Sequence, residues 1–124
     1  MSIEKSDQKS IMIVDDDVTN LHVLIDYLNK AGFRILIAQN GETALRRLDY
    51  VRPDIILLDI MMPGIDGFET CRRLKENRET RDIPVIFMTV RSESVDKVRG
   101  FRLGAVDYIV KPINAERLTS AVEQ

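Results

Sequence analysis

The sequence has no tryptophan, one cysteine and one histidine among its 124 residues, and only four prolines and six glycines. Each scarcity removes a class of protein. A single cysteine, Cys71, excludes an intramolecular disulfide and any zinc site built from cysteine pairs, and a reducing, cytoplasmic setting fits that usage. A single histidine, His22, excludes a histidine-based metal cluster, and an internal relay of phosphohistidines is not expected. So few prolines and glycines leave no linker and no low-complexity tract. No apolar run approaches the 18 or more residues of a membrane span. The polar opening MSIEKSDQK has no apolar core of a secretory signal, and residues 1–9 read as a loose leader ahead of one folded domain over residues 10–124. Charge of one sign is also missing: 18 basic against 20 acidic residues give a net charge of −2, which gives no support for direct nucleic-acid binding by the domain as a whole.

What is present is 44% hydrophobic and 31% charged, the composition of a soluble globular chain. At this length about two-thirds of the unfolded chain's surface can be buried, so no staple is needed. Short apolar runs alternate with helical stretches five times. Strands are expected at Ile11 to Val14, Phe33 to Ala38, Asp54 to Leu58, Val85 to Met88 and Ala105 to Val110. A first helix is expected from Val18 to Lys30, with Leu21, Leu24, Ile25 and Leu28 at 3-4 spacing. The second follows Asn40-Gly41 with Ala44, Leu45 and Leu48 inward. The third begins near Asp66 with Phe68, Cys71 and Leu74 on one side. The fourth starts near Ser92, carries Val95, Val98 and Arg102 on one face and closes at Gly104. Asn114 caps the fifth, with Leu118, Ala121 and Val122 buried. Five strands alternating with five helices imply a doubly wound α/β fold, a parallel sheet covered on both faces. The continuous runs IILL and VIFM suit strands buried on both sides.

In such sheets chemistry gathers outside the carboxyl ends of the strands. Strand one ends in Asp15-Asp16-Asp17, strand three in Asp59, strand four in Thr89 and strand five in Lys111. Clustered carboxylates repel, and a divalent cation offsets that repulsion. Oxygen ligands without histidine or cysteine suit Mg²⁺, with Mn²⁺ as the alternative. A hydroxyl and an ammonium facing them suit a phosphoryl group. Asp59 interrupts the apolar run IILLDIMM, where a lone carboxylate is costly unless paired or metal-bound. Plainer roles exist for each residue. Asp59 could cap the next loop or pair with Lys111; Asp17 reads as the helix cap rather than a ligand; Lys111-Pro112 could be only a turn, with a cis bond. His22 reads as a solvent-facing helix residue and Cys71 as a small packed apolar one.

Four segments in this order, IMIVDDD, DIILLDIMMPGIDGFE, VIFMTV and GAVDYIVKP, resemble the receiver domains of two-component response regulators, from about Ser10 to Val122. The resemblance implies a flavodoxin-like five-stranded sheet of order 2-1-3-4-5, the order for which a chemotaxis receiver is a standard illustration. It implies Asp59 as phosphoacceptor and Asp16 as a direct Mg²⁺ ligand, with Asp15 as its partner through water. The backbone carbonyl of Met61 becomes a further ligand, Thr89 and Lys111 the phosphoryl contacts, and Tyr108 the aromatic switch. The implied partner is a sensor histidine kinase or a histidine phosphotransfer protein, and the implied readout an output domain or protein reached through the surface of helix four, strand five and helix five. That surface is also where a homodimer would form. Self-catalysed phosphoryl transfer, not turnover of external substrates, is the implied activity. Val90, beside Thr89, and Met61 are expected to slow attack of water on the acyl phosphate. Three other readings share some of these features. An aspartate-nucleophile phosphohydrolase would need a cap segment. An FMN protein would need an uncharged phosphate loop after strand one. A degenerate receiver that only binds partners would have lost part of the acid, Thr and Lys set.

Overall fold

The computed structural model of the protein describes residues 8–90 and 97–123 in full and the backbone of 94–96. Five strands, β1 (Ser10–Val14), β2 (Arg34–Ala38), β3 (Ile55–Asp59), β4 (Val85–Thr89) and β5 (Asp107–Val110), alternate with five helices. The helices are α1 (Val18–Lys30), α2 (Gly41–Arg47), α3 (Gly67–Glu76), α4 (Ser94–Arg102) and α5 (Ala115–Val122). The strands form one sheet in the order β2-β1-β3-β4-β5, every pair parallel. The alternation predicts the doubly wound parallel sheet, and the flavodoxin-like strand order is the one the resemblance implies.

Alternate side chains of each strand enter opposite cores, because the pleat has a period of two. Met12, Val14, Ile56, Leu58, Val85 and Phe87 pack with Ala44 and Leu48 of the α2 region and with Phe68, Cys71 and Leu74 of α3. Ile11, Ile13, Ile55, Leu57, Ile86, Met88 and Ile109 pack with Leu21, Leu24 and Leu28 of α1 and with Leu118, Ala121 and Val122 of α5. The 3-4 spacing of these helix residues therefore does what amphipathic spacing requires. Burying one such leucine is worth roughly 2 kcal/mol.

Helix ends follow the sequence signals. Asp17 caps α1, its side chain accepting from the N–H groups of Thr19 and Asn20, and Asn40, Asp66 and Asn114 cap α2, α3 and α5 in the same way. Gly32, just past the C-cap of α1, holds φ at +90°, a backbone that side-chain-bearing residues seldom adopt. Boundaries move slightly where polar groups are used otherwise. Asp54 stays outside β3 because its carboxylate accepts the Ser10 N–H at 2.8 Å. Ala105 and Val106 lead into β5, the Val106 N–H donating to the Val85 carbonyl at 2.9 Å. The expected start of the fourth helix at Ser92 and the side chain of Val95 lie outside the described residues, and Val98 and Arg102 are solvent-exposed. Gln8 and Lys9 are tied to the fold, Gln8 Nε2 donating to the Gly32 carbonyl and the Lys9 carbonyl accepting from the Arg34 N–H; the rest of the leader, residues 1–7, is outside the description.

Candidate functional site

β1 runs out into Asp15, which is fully buried, with its N–H donating to the Ala38 carbonyl at 3.1 Å. One carboxylate oxygen of Asp15 accepts the Asp17 N–H at 2.9 Å. The other accepts Asn20 Nδ2 at 2.5 Å and Lys111 Nζ at 3.1 Å. Asp16, between the buried ligand-type residue and the helix cap, is exposed. β3 ends at Asp59, also buried, and the next N–H, of Ile60, donates to the Met88 carbonyl at 3.0 Å, which keeps the two strand ends level. Lys111 closes the group. Its Nζ is 3.5 Å from Asp59 Oδ1, its side chain is 14% exposed, and its N–H donates to the Thr89 carbonyl at 2.7 Å. The bond from Lys111 to Pro112 is cis.

One carboxylate oxygen from each of Asp15, Asp16 and Asp59 lies within 4.8 Å of the other two. Burial, first, and the charge of Asp15, second, push the Asp59 carboxyl up to about 7, against the pull of Lys111 and of the Met61 N–H. Burial alone would lower the pKa of Lys111; the charges of Asp59 and Asp15 outweigh it and hold the ammonium above its ordinary value. One ammonium cannot offset three acids, so the cluster keeps an uncompensated negative potential in a low-dielectric setting. An oxygen-only donor set of this kind fits a hard divalent cation, Mg²⁺ or Mn²⁺, and does not fit zinc.

The surrounding backbone is held close. A Cβ built on Gly67 would stand 2.3 Å from the Asp59 carbonyl oxygen, and the Gly67 N–H donates to the Ile60 carbonyl at 2.8 Å. Only glycine lets the start of α3 come this near the end of β3. Thr89 is buried at the end of β4, one residue beyond Met88, the cross-strand partner of Asp59. Met61 and Val90 flank the strand ends with exposed side chains. Tyr108 sits on β5 beside β4, half-buried, with Lys97 Nζ 4.6 Å from its ring centre and Phe101 edge-on at 6.3 Å. The pocket lined by Thr89, Ile60, Phe87 and Tyr108, among others, holds about 10 Å³, room for a single water at most. The two plainer expectations stand as read: His22 is exposed and Cys71 buried, its thiol pushed up to about 11 by burial.

The structure thus brings Asp15, Asp16, Asp59 and Lys111 together, with Thr89 and Met61 adjoining and Tyr108 behind Thr89. Sequence reasoning missed two contributors. Asn20 hydrogen-bonds Asp15 from the first turn of α1; an amide one turn beyond an acidic triplet was the available signal. Gly67 left none, because its role is a close approach between distant segments.

Comparison with known proteins agrees with this geometry. The family model of the response regulator receiver domain matches residues 11–123. Protein PilH of Pseudomonas aeruginosa is 41% identical over 112 residues, covering 90% of this chain and 93% of its own length. Chemotaxis protein CheY4 of Vibrio cholerae superimposes with a TM-score of 0.89 at 27% identity, over 94% of this chain and 97% of that one. The receiver domain of sensor histidine kinase PA1611 from P. aeruginosa, with a magnesium ion coordinated in its active-site cleft, superimposes with a TM-score of 0.86 at 27% identity, over 94% of this chain and 95% of that one. Several other curated relatives are longer, and this chain spans about half of them or less.

Proposed function

This chain belongs to the response regulator receiver domain family of two-component signalling, and from that premise we propose that it accepts a phosphoryl group on Asp59 and signals by a change of shape. The observation that carries the reading is the ammonium of Lys111 set between the buried carboxylates of Asp15 and Asp59, at 3.1 and 3.5 Å. A buried carboxylate with a cation beside it, at the open edge of a parallel sheet, is a nucleophile with charge stabilisation already in place.

In the proposed reaction an Asp59 oxygen attacks phosphorus in a phosphohistidine of a sensor kinase or phosphotransfer protein. The new bond is Asp59 O–P. The P–N bond breaks, and the histidine nitrogen leaves with the electron pair and is reprotonated. Asp59 must be ionised to attack, and Lys111, already drawn to it, favours that form. Asp15, Asp16, Asp59 and the Met61 carbonyl would hold Mg²⁺, which when bound neutralises the carboxylates and the phosphoryl oxygens. Lys111 Nζ and the Thr89 hydroxyl donate to the phosphoryl oxygens once they are in place. These new acceptors draw Thr89 toward Asp59 and open the tight space in front of Tyr108, so the ring can move inward. The α4-β5-α5 surface, with an output domain or protein beyond it, reads the change. The reading places the protein in the cytoplasm, with the chain acting as phosphoacceptor rather than as an enzyme on external substrates; no described helix is long and apolar enough to cross a membrane.

Intact mass after incubation with Mg²⁺ and a small phosphodonor tests this. One added phosphoryl group is expected in the wild type, and none in Asp59→Asn or with chelator. No addition to folded wild type, together with no binding of beryllium fluoride, would refute the phosphoacceptor role and leave a partner-binding receiver.

A further inference from the structure

α4 is unlike the other helices that cover the sheet. Among its fully described residues the buried one is Gly100, which meets the Phe87 ring. Val98 and Phe101 are 47% and 49% exposed. α1, by contrast, buries Leu21, Leu24 and Leu28. A helix that leaves Val98 and Phe101 half exposed has apolar surface left for a partner.

Between α4 and α3 that surface forms a groove of about 560 Å³. Phe68, Val98 and Leu103 supply its apolar part, and Arg72, Arg99 and Arg102 surround it. Arg99 lies over the Phe68 ring at 4.2 Å, a position that fixes a guanidinium while leaving its edge to bond a carboxylate. Arg72 is taken up by Glu69 and Glu76. Among the described residues no carboxylate lies at ion-pair distance from Arg99 or Arg102. The charge of the lining runs against that of the chain: Arg72, Arg99 and Arg102 stand against Glu69 alone, in a protein of net −2.

We propose that the groove between α3 and α4 is a docking site for an acidic amphipathic segment of a partner protein, whose leucine- or phenylalanine-type side chains seat on Val98 and Leu103, beside the Phe68 ring that Arg99 covers, while its carboxylates meet Arg99 and Arg102. Arginine and aromatic residues over a small apolar centre are the composition of an interface that carries its affinity in few contacts. A nucleic-acid backbone fits less well, because the lining sets apolar side chains between its arginines instead of the continuous basic stripe that tracks phosphates. The site does not include Asp59, so it stands or falls separately from the phosphoacceptor role.

The test is a selection from a phage-displayed library of random 12-residue peptides on the wild-type chain, with Arg99→Glu/Arg102→Glu as counter-target. Both arginines are exposed, and thermal unfolding confirms that the variant folds. Selected peptides are expected to interleave Asp or Glu with Leu, Ile or Phe. A synthesised winner should bind Asp59→Asn as it binds wild type, lose at least tenfold in affinity for the double variant, weaken with salt, and shift the amide resonances of Phe68, Val98 and Leu103. Winners without acidic residues, binding indifferent to the double variant, or shifts confined to another face would overturn the proposal. So would a wild-type dimer dissolved by the variant, which would give the groove to a second copy, or tight salt-dependent binding of a single-stranded oligonucleotide lost in the variant.

Discussion

Replacing Asp59 by asparagine should make the metal-free protein more stable at neutral pH, although it removes the proposed nucleophile. The Asp59 carboxyl is held at about 7 rather than 3.8, first by burial and then by Asp15. A raised carboxyl pKa means that the folded state penalises the charged form. The penalty is absent below about pH 3.8, grows as the unfolded chain ionises, and is complete above about pH 7. At about 1.4 kcal/mol per decade it reaches roughly 4 kcal/mol. Relaxation of the site and entry of water reduce the part that a substitution recovers, so a gain of about 1–3 kcal/mol is expected for Asp59→Asn at pH 8. For a chain of this size that is a rise in Tm of roughly 4–12 °C. Asparagine keeps the shape and can still accept from the Lys111 ammonium. The assay is thermal and urea unfolding of both proteins with chelator, at pH 8 and at pH 4.5, and then with Mg²⁺. The gain should shrink on going to pH 4.5, and Mg²⁺ should narrow it by favouring the wild type. A variant no more stable than wild type at pH 8, or an equal gain at both pH values, would show that Asp59 is not strained by its neighbours and that the electrostatic reasoning fails.

The backbone contact at Gly67 gives a second prediction: in Gly67→Ala the new Cβ meets the Asp59 carbonyl oxygen at 2.3 Å, so stability should fall by about 1–3 kcal/mol and phosphorylation should slow, both measurable on one preparation. Cys71, buried with its thiol at about 11, should react with a thiol reagent at pH 8 on the order of a hundredfold more slowly folded than in denaturant; equal rates would mean that the core under α3 opens readily. Met61 and Val90 stand at the site with 56% and 68% of their surfaces exposed, where they can hinder water. Decay of the phosphorylated protein should therefore be faster in Met61→Asn and Val90→Ala, and equal or slower decay in both would remove that role.

The fold was legible because its signals are local. Continuous apolar runs marked the buried strands, leucines at 3-4 spacing marked α1, and Asp17, Asn40, Asp66 and Asn114 marked helix starts by a hydrogen bond to a backbone two or three residues away. Asp59 stood out because a carboxylate in an apolar run is costly by its chemistry alone. Parallel strands then put Asp15, Asp59, Thr89 and Lys111 at one edge, so the membership of the site followed from alternation of elements; the strand order itself followed from family resemblance. What no local pattern held was decided by packing. Asn20 on Asp15, Gly67 against the Asp59 carbonyl, and the 3.1 and 3.5 Å reach of Lys111 join residues far apart in the chain or aim a side chain that sequence leaves free to turn. The same holds for α4, whose spacing is that of a covering helix. Among its described residues Gly100 lies against the Phe87 ring, while Val98 and Phe101 stay half exposed. Residue chemistry and period thus determined which groups could act and on which edge; the three-dimensional packing alone fixed the distances, the burial and therefore the charge balance on which their action depends.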